Sequence, residues 1–234
     1  MIFGRKISLA GSAMPKGMID YHCHLLPGVD DGFKDLSSTL QALNYYEQIG
    51  VNEVWCTPHI MEDIPNQTQS LRNRFTLLTE KYQGPISLHL AAEYMMDEEF
   101  EKRLKEEDLL PIGIDADHLL VETSYFNPPA RLEAIIERIM SSGFYPILAH
   151  PERYMYMNEK AYQKWHQRGV KMQINIPSLI GGYGKEVQKK AFWLLKHKYY
   201  SILGSDMHRI TEIGKFEVKK SIIPLLTELS HCTL

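Results

Sequence analysis

From Met18 onward one pattern recurs along the chain: a short apolar, β-branched run, a punctuating turn, then a segment of helical period. The apolar runs fall at 19–24, 52–57, 86–92, 117–122, 145–149, 170–176 and 200–204. Between them the spacing predicts helices with recognisable ends. Residues 37–49 follow Asp35, a capping residue, and stop at Gly50. Residues 129–142 open on Pro128-Pro129, suited to a first turn, and end at Gly143. Two more helices are expected over 185–197 and 212–229. Strand and helix alternating without a long linker build parallel βα units rather than separate domains. Seven units predict an α/β fold, a TIM-barrel-like (β/α)7 barrel with its chemistry at the C-terminal ends of the strands. An open doubly wound sheet is the alternative.

Composition narrows the function classes. The chain has 234 residues, of which 44% are hydrophobic and 24% charged, the balance of an ordinary globular protein with a full core. A net charge of −3 without a basic run argues against a nucleic-acid partner. No apolar segment approaches the roughly 20 residues that span a bilayer. Three scattered cysteines make no disulfide framework and point to a reducing compartment, so the cytoplasm is expected. Residues 1–17 read as a mobile tail and 18–234 as one domain.

The metal-type residues fall at the strand ends. His22 and His24 end the first expected strand, His59 follows the second, Glu93 ends the third and Glu122 the fourth. His150 ends the fifth, and Asp206 and His208 end the seventh, while the sixth offers only Gln173 and Asn175. Side chains two apart on a strand share a face, so His22 and His24 can both reach the barrel mouth. Imidazoles mixed with carboxylates suit borderline divalent ions such as Mn, Fe, Zn or Co. Singly, each residue has an ordinary reading: a surface histidine, a solvated carboxylate, or, for Asp30-Asp31-Gly32, a turn. Jointly, ligands at six of seven strand ends mark a site. His89, His118, His166, His197 and His231 fit no such position.

The motifs "DYHCHLLPGVDDG", "CTPH", "AAEY", "LLVETS", "LAHPERY" and "GSDMH" resemble those of the PHP (polymerase and histidinol phosphatase) superfamily, over about Met18 to Arg209. Within it they are most similar to the bacterial metal-dependent protein-tyrosine phosphatases of capsule and exopolysaccharide systems. The resemblance implies a distorted seven-stranded βα barrel with three divalent metal ions, manganese first, with iron, zinc or cobalt as alternatives. It places His22, His24, Glu93 and Asp206 on a first ion, has Glu93 bridge to a second completed by Glu122 and His150, and gives a third to Asp31, His59 and His208. Arg153 would bind the substrate phosphate. The further arginine that the family pattern carries in a Gly-Arg-Pro stretch is absent from "HRITEIGKF", where Arg209 is the substitute at hand.

The chemistry expected is phosphomonoester hydrolysis, with a metal-bridging hydroxide attacking phosphorus in line. By the same resemblance the substrate would be protein phosphotyrosine, on an autophosphorylated bacterial tyrosine kinase that controls polysaccharide export. Cysteine-based phosphotyrosine hydrolysis is excluded: it needs an arginine six positions after the nucleophile, and Val29 and Glu62 stand there after Cys23 and Cys56. Two readings compete with the first: a small-molecule phosphatase of the histidinol-phosphatase type, and a non-catalytic, metal-containing phosphopeptide-binding module. The segment 61–70, after His59, is expected to be a surface loop rather than a lid.

Overall fold

The computed structural model describes residues 6–8, 17–213, 217–219, 223–230 and 234. Among them, eleven strands and nine α-helices alternate in chain order, opening with β1 (Lys6–Ser8), β2 (Met18–Cys23) and α1 (Leu36–Ile49). There follow β3 (Val51–Cys56), β4 (His59–Ile60), α2 (Thr68–Lys81), β5 (Ser87–Leu90), β6 (Glu93–Met95) and α3 (Glu98–Glu106). Next come β7 (His118–Glu122), α4 (Leu132–Ser141), β8 (Tyr145–Leu148), α5 (Glu159–Gln167) and β9 (Lys171–Asn175). The last are α6 (Ile176–Ile180), α7 (Lys185–Lys196), β10 (Ile202–Gly204), α8 (Ile210–Ile213), β11 (Glu217–Lys219) and α9 (Ile223–Ser230).

Two parallel sheets, β2-β3-β5 and β10-β9-β8-β7-β6-β4, make one curled wall. The strand β4 continues β3 after Thr57-Pro58, and β6 continues β5 after Ala91-Ala92, so the two sheets share two staves. Pro58 has no N–H to give the ladder, which accounts for the first interruption. The last stave returns to the first through a Cys23–Met207 bridge. Asp206 N–H donates to His22 O at 2.8 Å and His24 N–H to Met207 O at 3.0 Å. Seven parallel staves therefore close into the expected distorted barrel.

Alternation along the staves sorts the side chains. Tyr21, Trp55, Leu120, Ile147, Ala149 and Ile202 fill the barrel interior. Their neighbours Cys56, Leu119, Val121, Leu148, Met172, Ile174 and Leu203 face outward into a second core shared with the helices, through Leu43, Leu78, Ile136, Ile139, Trp165 and Leu194. Each fully buried Leu or Ile contributes about 1.5–3 kcal/mol. Most of these residues lie in the outer layer.

Helix ends follow the expected chemistry. Asp35 caps α1 by accepting from Ser38 N–H, and Gly50 ends it at φ 86°. The single helix expected over 212–229 is a correction: α8, β11 and α9 occupy its described parts. The reason lies in "KFEVKK", which alternates with a strand period, and in Pro224, which suits the first turn of a new helix. The strand β11 pairs antiparallel with β1, the described part of the expected tail. Among the described residues no helix is long and apolar enough to cross a membrane.

Candidate metal centre

Side-chain parity decides which residues reach the mouth. Glu93 follows inward Ala91 by two, Glu122 follows Leu120 by two, and Gln173 and Asn175 alternate with outward Met172 and Ile174. Strict alternation from inward Tyr21 would send His22 and His24 outward. It does not, because β2 carries an extra residue: Asp20 pairs with Val54, but Cys23 pairs with Cys56. That bulge shifts the parity by one and turns both imidazoles into the mouth. His150 is out of step with Ile147 and Ala149 and reaches inward through a left-handed backbone, φ 33°. Asp206 is also left-handed, at φ 52°.

The convergence is dense. Four sets each present one ligand atom per residue, all within 4.8 Å of one another: His24, Asp31, His59 and His208; His22, His150 and Asp206; His22, His24 and Glu93; His59, Glu93 and Glu122. Glu93 lies at the centre. Its Oε2 is 3.1 Å from His22 Nε2, 3.1 Å from His59 Nδ1 and 3.4 Å from His24 Nε2. Yet Oε2 is aligned for a hydrogen bond with none of them, and neither is His59 Nδ1 with any described residue. These atoms aim at a shared point rather than at each other.

The tautomers sharpen this. Gln173 Oε1 accepts from the His150 backbone N–H at 3.0 Å, so His22 Nδ1, also 3.0 Å away, must be the donor toward it. His24 Nδ1 faces the Asp30 carboxylate at 2.8 Å and must likewise carry a proton. In the neutral rings both Nε2 atoms are then lone pairs, and they lie 3.3 Å apart. A cation between them and Glu93 satisfies all three, as outer partners that fix a histidine's tautomer do in metal sites. The donor set, imidazole plus carboxylate, fits a borderline divalent ion.

Without a cation, protons take its place. Burial alone would lower the His22 pKa, but Glu93 and the charge of Asp206 outweigh it and lift it from 6.5 to about 9. His24 is also held well above its ordinary value against burial, by Asp206, Asp30 and Glu93. Glu93 and Asp206 are held well below the usual carboxylate range, again against burial, by the surrounding imidazoles. In the metal-free protein the His22 proton stabilises the fold fully below pH 6.5, and that contribution is lost as pH rises through about 9. An entering cation must displace this proton. Metal loading near neutral pH is therefore expected to release protons, with affinity rising with pH up to about 9, as potentiometry during metal titration will read.

The sequence-identified residues all reach the rim, though unequally. His22, His24, Glu93, Glu122, His150 and Asp206 are buried. The Asp31 side chain is 65% exposed, with Oδ1 3.4 Å from His208 Nε2 and 3.6 Å from His59 Nε2. Arg153 donates from Nη1 to Asp206 Oδ2 at 2.8 Å. Arg209 is exposed and lines the same cavity of about 430 Å³. Two larger hollows, of about 590 and 620 Å³, hold none of the clustered ligand atoms. Chemistry, not size, selects the site. The loop 61–67 is fastened by Asn66 Nδ2, which donates to Val29 O and His59 O, and Arg103 Nη2 donates in turn to Asn66 O.

Sequence reasoning missed Asp30, which read as a turn residue. It is the neighbour of Asp31 that points inward: besides holding His24, its Oδ2 accepts His59 N–H at 3.1 Å and its Oδ1 accepts Gly32 N–H at 2.9 Å. No local signal distinguishes the two aspartates. Asp30→Asn is expected to weaken metal retention by about 10- to 100-fold, read by elemental analysis after dialysis.

A model of the family described as "Capsular polysaccharide synthesis, CpsB/CapC" matches residues 18–218. The chain belongs to this family. The CpsB/CapC match spans every rim residue from His22 to His208. The chain is 27% identical over 199 residues to tyrosine-protein phosphatase YwqE of Bacillus subtilis (strain 168), covering 82% of this chain and 78% of that one. It is 26% identical over 205 residues to tyrosine-protein phosphatase CpsB of Streptococcus pneumoniae, covering 82% and 84%. One chain from the solved structures described as "Crystal structures of YwqE from Bacillus subtilis and CpsB from Streptococcus pneumoniae, unique metal-dependent tyrosine phosphatases" superposes with a TM-score of 0.78 at 23% identity, over 92% of this chain and 88% of that one. The lactonase Lmo2620 from Listeria monocytogenes, at 12% identity and a TM-score of 0.53 over 98% and 89% of the two chains, shares the fold alone.

Proposed function

We propose that this CpsB/CapC protein is a metal-dependent phosphatase of protein phosphotyrosine, acting on an autophosphorylated bacterial tyrosine kinase of capsule or exopolysaccharide synthesis. The observation that carries the reading is the meeting of Glu93 Oε2 with the His22 and His24 Nε2 atoms, an arrangement that a cation reconciles. Three ions, manganese first, would be held by His22, His24, Glu93 and Asp206; by Glu93, Glu122 and His150; and by Asp31, His59 and His208. The third set coincides, with His24 added, with one cluster of converging atoms. For the second set, His150 Nε2 lies 3.0 Å from Glu93 Oε1 and 3.9 Å from Glu122 Oε2. Bound divalent ions supply a nucleophile at neutral pH and neutralise phosphoryl charge.

The chain's own residues do the rest. Asp30 and Gln173 orient His24 and His22, leaving the Nε2 lone pairs turned inward. Asp206 divides its oxygens: Oδ1 faces the imidazoles, while Oδ2 anchors Arg153 and accepts from Asn175 Nδ2. Arg153 would meet the phosphate with its planar fork, and Arg209 would add charge at the rim.

The test is incubation of purified protein with para-nitrophenyl phosphate, a phosphotyrosyl peptide and histidinol phosphate, with and without Mn²⁺ and a chelator. Metal-dependent release from the first two supports the proposal. A strong preference for histidinol phosphate would replace it with the small-molecule enzyme, and no release from any with a binding module.

A further inference from the structure

Arg153 projects from the turn after β8, and two tyrosines from different elements enclose it. Its guanidinium carbon lies 4.3 Å from the ring centroid of Tyr125 and 4.2 Å from that of Tyr183. Tyr125 follows β7 in the chain, and its backbone O accepts from Met155 N–H at 2.7 Å, which ties it to the segment carrying Arg153. Tyr183 comes from a separate part of the chain, on the Gly181-Gly182-Tyr183-Gly184 turn between α6 and α7. Gly181 and Gly184 take φ 85° and 91°, values that favour glycine, and the turn they permit carries the ring back over the mouth.

The arrangement does more than fill space. A guanidinium is planar, and two aromatic rings against it restrict its tilt while attracting its charge. One edge is already committed to Asp206 Oδ2, and only 18% of the side chain is exposed. An arginine free in solution must give up its rotational freedom when a ligand arrives, and prior ordering removes that cost.

We propose that Tyr125 and Tyr183 are positioning residues that hold the Arg153 guanidinium in one plane, ready to receive a phosphate. The inference rests on the phosphatase reading only in taking phosphate as the ligand of Arg153. The two tyrosines act through the arginine and not by touching the substrate.

The experiment begins without turnover, by calorimetric titration of inorganic phosphate into Mn²⁺-loaded protein. Tyr183→Ala is expected to weaken phosphate binding by about ten-fold, the scale of a well-buried cation–π contact. Tyr183→Phe, which keeps the ring, should stay within about two-fold of the parent, and in an Arg153→Ala background Tyr183→Ala should also add less than about two-fold. Metal content should not change. With para-nitrophenyl phosphate the Tyr183→Ala loss should appear mainly in KM. Equal losses in both backgrounds would overturn the proposal, because the ring would then contact the ligand directly. Unchanged phosphate affinity in Tyr183→Ala would overturn it too. So would a fall in metal content, which would assign the effect to the 3.4 Å contact from the Tyr183 hydroxyl to Asp206. A parent protein that binds phosphate through Arg153 yet hydrolyses no phosphate ester would sink the phosphatase reading and leave the clamp intact.

Discussion

Glu93→Gln is expected to lower kcat/KM for para-nitrophenyl phosphate by about 1,000-fold or more, a loss of about 4 kcal/mol of transition-state stabilisation. The substitution is nearly isosteric: it removes the charge and replaces one acceptor oxygen by an NH2 group. That change falls at the most crowded point of the site, where Oε2 lies within 3.1 to 3.4 Å of His22, His24 and His59 and Oε1 lies 3.0 Å from His150. A neutral amide there would present either a poorer ligand oxygen or N–H groups aimed at the imidazoles. Elemental analysis should find less than the parent's metal content. A variant that keeps the full metal content and activity would show that Glu93 is not shared between ions.

Gly204→Ala is expected to abolish metal retention and to cost about 1–3 kcal/mol of stability, the usual range for overpacking a core. The added methyl would lie 2.5 Å from His22 Cβ and 2.5 Å from Gln173 Nε2. Neither neighbour can yield. The His22 Cβ is fixed by a buried backbone, and Gln173 holds both the His22 ring and the His150 N–H. The variant tests geometry without removing a single ligand, so activity and metal content should fall together while the ligand list stays complete. Thermal unfolding of the metal-free protein reads the stability loss separately. Unchanged metal content would mean that the His22 position tolerates a shift of tenths of an ångström.

Much of this was written in local sequence. Glu93 and Glu122 reach the mouth by plain alternation from Ala91 and Leu120, so finding their strands places them. The pairing of His22 with His24 on one face was also legible. What the spacing hid is that both would face outward without the bulge between Asp20 and Cys23, because a bulge depends on the partner strand's register. His150 enters by a left-handed residue that its neighbours do not announce. Asp30 against Asp31 was undecidable locally, since the backbone fold of one turn chooses which carboxylate meets His24. Tyr125 and Tyr183 were silent for a stronger reason: their role exists only once Arg153 stands between them. The helix expected over 212–229 failed where a strand-period stretch lay beside apolar residues of either period.

The seam where the first and last staves meet has a consequence for how the molecule comes apart. Two backbone hydrogen bonds across it are made by His22, His24, Asp206 and Met207, so the clasp of the cylinder and the residues proposed to hold the cation share the same stretch of backbone. An ion held there would pin together two segments from opposite ends of the domain, and by favouring the folded chain it would add to stability by mass action. Its loss would leave crowded imidazoles and carboxylates facing one another at that junction. Unzipping should then start at the first and last staves, while the middle of the wall keeps its apolar backing.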